Sequence, residues 1–245
     1  MIFNATVVET GDRLTISPID PPRLEKASQA ASLARAANPA AFRRLDFQSL
    51  YGGRDLDVVT AARLSATFPW VSPVARPDSD ALAPGVRYHV ADGGYFDNEG
   101  VVSALEFMDQ VLLNFGTRRK ALLIRILDAP PSKTPEAAEH SGWIYSLAGP
   151  LITMLNVRTA SQRVRDDDEV ENFTAYWQCM GVDVVTVRFI LGSDASMSWH
   201  LTKSEQADIA LEWTETVRDA DDLSADDEIL RLNGEALRNL RKALR

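Results

Sequence analysis

Residues 121–127 read Ala-Leu-Leu-Ile-Arg-Ile-Leu, an apolar run broken only by Arg125. A run of this length and composition predicts a strand covered on both faces, as in a mostly parallel sheet. Ahead of it, Val101, Val102, Leu105, Met108 and Leu112 recur every three or four residues, which predicts a helix from Asn98 to about Asn114. Residues 2–9 have the β-branched, alternating character of a strand, and residues 88–91 read as a short strand. Between them, residues 57–67 read as a helix that Pro69 ends. This order of strands and helices predicts an α/β layered domain over residues 1–129.

The remainder divides by composition. Pro18, Pro21 and Pro22 break the chain, and the alanine-rich residues 23–37 suit an exposed helix. Residues 77–86 read as a loop, and residues 130–141 as an exposed linker. A helix is expected over 143–164, interrupted near Gly149-Pro150, and a strand over 182–191. Thr202-Lys203-Ser204-Glu205 fits a capping box, with a helix running to about Asp219. Residues 224–227 open another, with Leu230, Leu237, Leu240 and Leu244 on one side. Residues 142–245 are thus expected to extend the first domain and pack on it.

A net charge of −9 argues against nucleic-acid binding, which needs a basic surface. Arg158, Arg163 and Arg165 abut Asp166, Asp167, Asp168, Glu169 and Glu171, so this stretch reads as a solvated, charge-mixed face. The acidic cluster lacks the glycine and alternating oxygen ligands of a calcium loop, and no metal or cofactor is expected. The single cysteine, Cys179, excludes an internal disulfide. No apolar run reaches the roughly 18 residues of a membrane span. The expected location is cytoplasmic or at a membrane periphery.

The chemistry-bearing segment is Ala91-Asp92-Gly93-Gly94-Tyr95-Phe96-Asp97-Asn98-Glu99-Gly100. An aspartate between a strand end and two glycines is held by backbone on both sides, while its carboxylate can reach a neighbour. Such a carboxylate suits an orienting or base role, although Asp-Gly also marks plain turns. Asn98 is the expected cap of the helix that follows. His89 lies three residues before Asp92, on the opposite strand face, and neither His140 nor His200 sits where a triad base would.

Together with Ser65-Ala66-Thr67-Phe68-Pro69, the Asp92-Gly93-Gly94 and Asp97-Asn98 pairing resembles the patatin-like phospholipase family. Phe3-Asn4-Ala5-Thr6, continued by Glu9-Thr10-Gly11, is similar to that family's "NAT…ETG" strand, and Trp199-His200-Leu201-Thr202 to a later segment of large bacterial members. The resemblance is dense over residues 1–115. It implies a three-layer sandwich with a mostly parallel sheet. It implies hydrolysis of a lipid or other acyl ester by a Ser–Asp dyad, with Asp92 as the aspartate and Gly93, Gly94, Asp97, Asn98 and Ser65 in supporting places.

The dyad serine of such enzymes sits in Gly-x-Ser-x-Gly, which occurs nowhere in these 245 residues. Ser65 lies in a helix without elbow glycines, and Tyr51-Gly52-Gly53-Arg54-Asp55 reads as a turn rather than an oxyanion loop. The chain is therefore expected to lack the N-terminal side of the fold and to be inactive alone. A missing segment or a complementary chain would supply the serine, with peripheral membrane contact left open. Residues 2–9 would then be a central strand stripped of its neighbour, and prone to aggregate. A non-catalytic lipid- or protein-binding scaffold and an inert fragment of a longer gene are the alternatives.

Overall fold

Phe3–Val7 forms β1, with Ala5 and Val7 completely buried. Val7 accepts from Gly11 N, and Val7 N donates back to Asp12 O, both at 2.8 Å. This tight reversal needs the positive φ of 71° that Gly11 supplies without steric cost. Arg13–Ile16 then returns as β2, antiparallel to β1. On its other side β1 pairs, again antiparallel, with β4 at Val90–Asp92. The short β3, Leu45–Asp46, adds in parallel to β2, so the sheet order is β3-β2-β1-β4.

This architecture, in a computed structural model, describes residues 1–19, 45–51, 54–67, 73–76, 88–115, 120–127, 143–192, 201–220 and 227–245. The expected helix at 23–37, the loop at 77–86, the linker at 130–141, Pro69, His140 and His200 lie outside those residues. The fold is mixed α/β. Two expectations about its sheets are corrected. The N-terminal sheet is chiefly antiparallel, because hairpin geometry joins β1 to β2 within a few residues. β1 is flanked on both sides, so it presents no open edge, and aggregation through that strand is not expected.

The described chain forms two compact units: Met1–Gly116 with Val157–Glu171, and Thr117–Asn156 with Asn172–Arg245. In the first, Leu14, Ile16, Phe47, Tyr51, Ala61 and Val90 join β1 in one core. Phe47 and Tyr51 stack at 4.4 Å within the short helix α1, Phe47–Tyr51. Helix α2, Val58–Ser65, starts where Asp57 accepts from Thr60 N at 2.7 Å. Helix α3, Val101–Phe115, buries Val101, Leu105 and Leu112, the expected stripe.

In the second unit, β5 (Lys120–Leu127) and β6 (Asp183–Ile190) pair in parallel. β5 therefore belongs with β6, and the two-stranded sheet is separate from the first. Ala121, Leu123, Arg125 and Leu127 are buried, but Ile124 and Ile126 are 46% and 69% exposed, so the expected cover on both faces is incomplete.

The long helix α4, Trp143–Cys179, runs through Gly149-Pro150 and well past 164. A proline removes one N–H but need not end a helix whose other turns keep their bonds. It stops at Gly181, φ 84°, where Val182 N donates to Trp177 O at 2.9 Å. Helix α5, Lys203–Arg218, has the full Thr202–Glu205 capping box. Helix α6, Glu228–Ala243, begins at the Asp227 cap and packs Ala236, Leu237 and Leu240 on the β6 side chains Val187 and Phe189. Leu244 is exposed rather than part of that stripe.

Candidate functional site

The two separated motifs of the first unit are one structure. Ala5 is the register partner of Asp92. Asn4 Nδ2 donates to Asp97 O at 2.6 Å, and Thr6 Oγ1 to Asp92 O at 2.8 Å. Gly93 is buried so tightly against β1 that a Cβ there would lie 2.3 Å from Asn4 O. The Asn-Ala-Thr strand is thus the bed on which the Asp-Gly-Gly turn is laid.

Asp92 ends β4 and caps a single 3-10 turn, Gly93–Tyr95. Its Oδ1 accepts from Gly94 N at 2.7 Å. Oδ2 makes no hydrogen bond among the described residues. Burial pushes the Asp92 carboxyl above its ordinary value, and outweighs the Gly94 N–H and the Arg158 charge, which both favour ionisation. A carboxylate oriented through one oxygen, with the other unengaged and a raised proton affinity, is equipped to accept a proton.

Gly94 has a related role. A Cβ there would lie 2.6 Å from Asn98 Oδ1 and 2.8 Å from Asp92 Oδ1. Its bare Cα lets both polar side chains close over the turn. Asn98 is exposed and is not the helix cap. Asp97 takes that place: Oδ1 accepts from Val102 N at 3.3 Å, and Oδ2 from Ser103 N at 2.9 Å and Ser103 Oγ at 2.8 Å. Gly100, with φ 70°, lets the chain double back so that the earlier residue reaches the orphan donors of α3.

Asp97 is fully buried and faces Arg13 Nη1 at 3.9 Å. Arg13 also donates to Ser103 Oγ at 3.1 Å and pairs with Glu106. This ionic knot joins β2 to α3. The visible sign of it in the sequence is a lone arginine at the head of the apolar Leu14–Ile16 stretch.

Ser65 lies beside this bed, but its hydroxyl donates to Asn4 Oδ1 at 3.5 Å, with no hydrogen bond to Asp92 among the described residues. It sits at the end of α2 rather than on an exposed elbow. His89 pairs with Glu9 at 2.5 Å, away from the Asp92 carboxylate. Among the described residues, no group of three or more His, Cys, Asp or Glu side chains is placed to hold a metal ion. No described helix is long and apolar enough to cross a membrane.

The middle of α4 brings residues that the charge pattern had assigned to a solvated face. Gln162 Nε2 donates to Tyr95 O and Phe96 O, both at 3.1 Å. Arg158 lies one helical turn earlier, its guanidinium 4.4 Å from the Tyr95 ring centroid. Arg163 meets Glu99 at 3.5 Å. The Asp92 turn is therefore walled by an arginine that no local pattern marks.

A second feature lies in the other unit. Ile124, Ile126, Phe189, Ile209 and Trp213 line an apolar groove of about 320 Å³. Asn233 is also part of the lining, donating to Ile190 O at 2.7 Å and accepting from Ile190 N at 2.8 Å.

Compared with protein-family models, curated proteins and solved structures, the chain matches none.

Proposed function

We propose that the Asp92 turn is the carboxylate half of a patatin-like acyl-hydrolase dyad, whose nucleophilic serine comes from another polypeptide segment. The observation that carries this reading is the state of Asp92. Gly94 N–H fixes one oxygen, the other is unengaged among the described residues, and burial raises the affinity for a proton. In the proposed reaction a serine hydroxyl gives its proton to Asp92 as it attacks the ester carbonyl. The acyl-enzyme then forms and the alcohol leaves; water hydrolyses the acyl-enzyme by the same base. The substrate is a lipid or another acyl ester, and the fold is the three-layer sandwich of that family.

The test is hydrolysis of p-nitrophenyl butyrate by this chain reconstituted with a Gly-x-Ser-x-Gly polypeptide recovered from its native source. Turnover and fluorophosphonate labelling of that serine are expected. Asp92→Asn should lower turnover at least 100-fold, within the range of a lost general base. Undiminished turnover would remove Asp92 from the mechanism, and labelling of Ser65 would place the nucleophile in this chain.

The groove beside Trp213 favours a second reading, a scaffold that binds acyl chains or a protein and turns nothing over. Under that reading Asp92→Asn leaves every function intact.

A further inference from the structure

Arg158 is partly buried, and its Nε and Nη1 are shielded from solvent without a hydrogen-bond acceptor among the described residues. Its guanidinium faces the Tyr95 ring, which accommodates the charge but accepts none of these in-plane N–H groups. Asp92 feels the Arg158 charge but makes no ion pair with it among the described residues, and its bonded oxygen is committed to Gly94 N. Gln162 gives its amide nitrogen to the Tyr95 and Phe96 carbonyls, and its Oε1, also shielded, makes no hydrogen bond to Arg158 among the described residues. Two shielded, unsatisfied guanidinium nitrogens are costly unless something completes their bonds.

We propose that Arg158, set on Tyr95 beside Asp92, is an oxyanion-binding residue that takes a phosphate or carboxylate group. Both ligands share the chemistry required: oxygen acceptors of negative charge that meet guanidinium N–H groups in charge-assisted hydrogen bonds. The site makes sense of an arginine on α4 packed against the turn, since a cation there holds an anionic group within reach of the base. It deepens the acyl-hydrolase reading by assigning a substrate group, yet its test requires no turnover. Failure of anion binding and failure of the dyad are thus separately visible.

The experiment is isothermal titration of the full chain with inorganic phosphate and, separately, with hexanoate. Binding on the order of millimolar is expected for an anion held by one cation. Arg158→Gln should weaken it about tenfold or more, the worth of a charged hydrogen bond. Arg158→Lys, which keeps the charge but loses the planar donors, should weaken it less. Arg163→Gln should leave it unchanged, because Arg163 faces Glu99. Circular dichroism establishes that each variant is folded; should Arg158→Gln unfold, the contrast of Arg158→Lys with Arg163→Gln decides. Phosphate binding alone would assign a phosphate-bearing ligand, and hexanoate binding alone an acyl carboxylate. Absence of binding to both, or binding insensitive to Arg158, overturns the proposal.

Discussion

Asp97→Ala is expected to destabilise the first unit by about 3–5 kcal/mol, as breaking one side of a buried charge pair does. The side chain is wholly shielded from water. Its removal strands three hydrogen-bond donors, Val102 N, Ser103 N and Ser103 Oγ. It also takes away a counter-charge from Arg13, although Glu106 still faces that guanidinium and moderates the loss. Asp97→Asn should cost less, because the amide oxygen can still accept at the start of α3. The measurement is urea unfolding followed by circular dichroism. A loss below about 1 kcal/mol, the scale of an ordinary exposed cap, would show that Asp97 is not the buried keystone described.

Gly93→Ala is the second large effect. The added methyl would meet Asn4 O at 2.3 Å and Asn4 C at 2.8 Å, atoms of a central strand paired on both sides. Neither can swing aside as a side chain does, so β4 and its turn must be displaced. A loss of about 3 kcal/mol is expected, at the upper end for overpacking. Gly94→Ala provides the contrast. Its closest neighbours are the side-chain oxygens of Asn98 and Asp92, which can rotate away. It should cost less stability but disturb the Asp92 carboxylate more. Equal losses in the two variants would contradict this account of the turn.

The elements that were legible in the sequence are those whose signals are local. The Thr202–Glu205 capping box needs only four residues, and the apolar stripe of α3 only its own period. The strands at 120–127 and 183–190 announced themselves by composition. β2 was missed because Arg13-Leu14-Thr15-Ile16 is short and begins with a charge that only tertiary partners explain. The choice of Asp97 over Asn98 as cap depended on a positive φ at Gly100, since both residues have capping side chains. Arg158 was invisible for the same kind of reason. Its immediate neighbours, Val157 and Thr159, carry no signal of a site, and only packing sets it on Tyr95, far away in the sequence. The Asp92 motif was legible, but its coupling to Asn4 and Thr6 is a product of strand register.

The most direct test of the central claim is the stability of Asp92→Asn as a function of pH. A carboxyl held above its ordinary value binds its proton more tightly in the folded chain than in the unfolded one. Wild-type stability therefore falls as pH rises from the ordinary aspartate range through the raised folded value. Asparagine keeps an oxygen for Gly94 N and removes the charge. The account predicts that Asp92→Asn melts at a higher temperature than wild type at pH 7, and that the advantage shrinks on acidification. This is the signature of a carboxylate kept for chemistry at the expense of stability. A variant that melts lower than wild type at pH 7 would make the Asp92 charge a structural asset of the turn, and would contradict its assignment as a base.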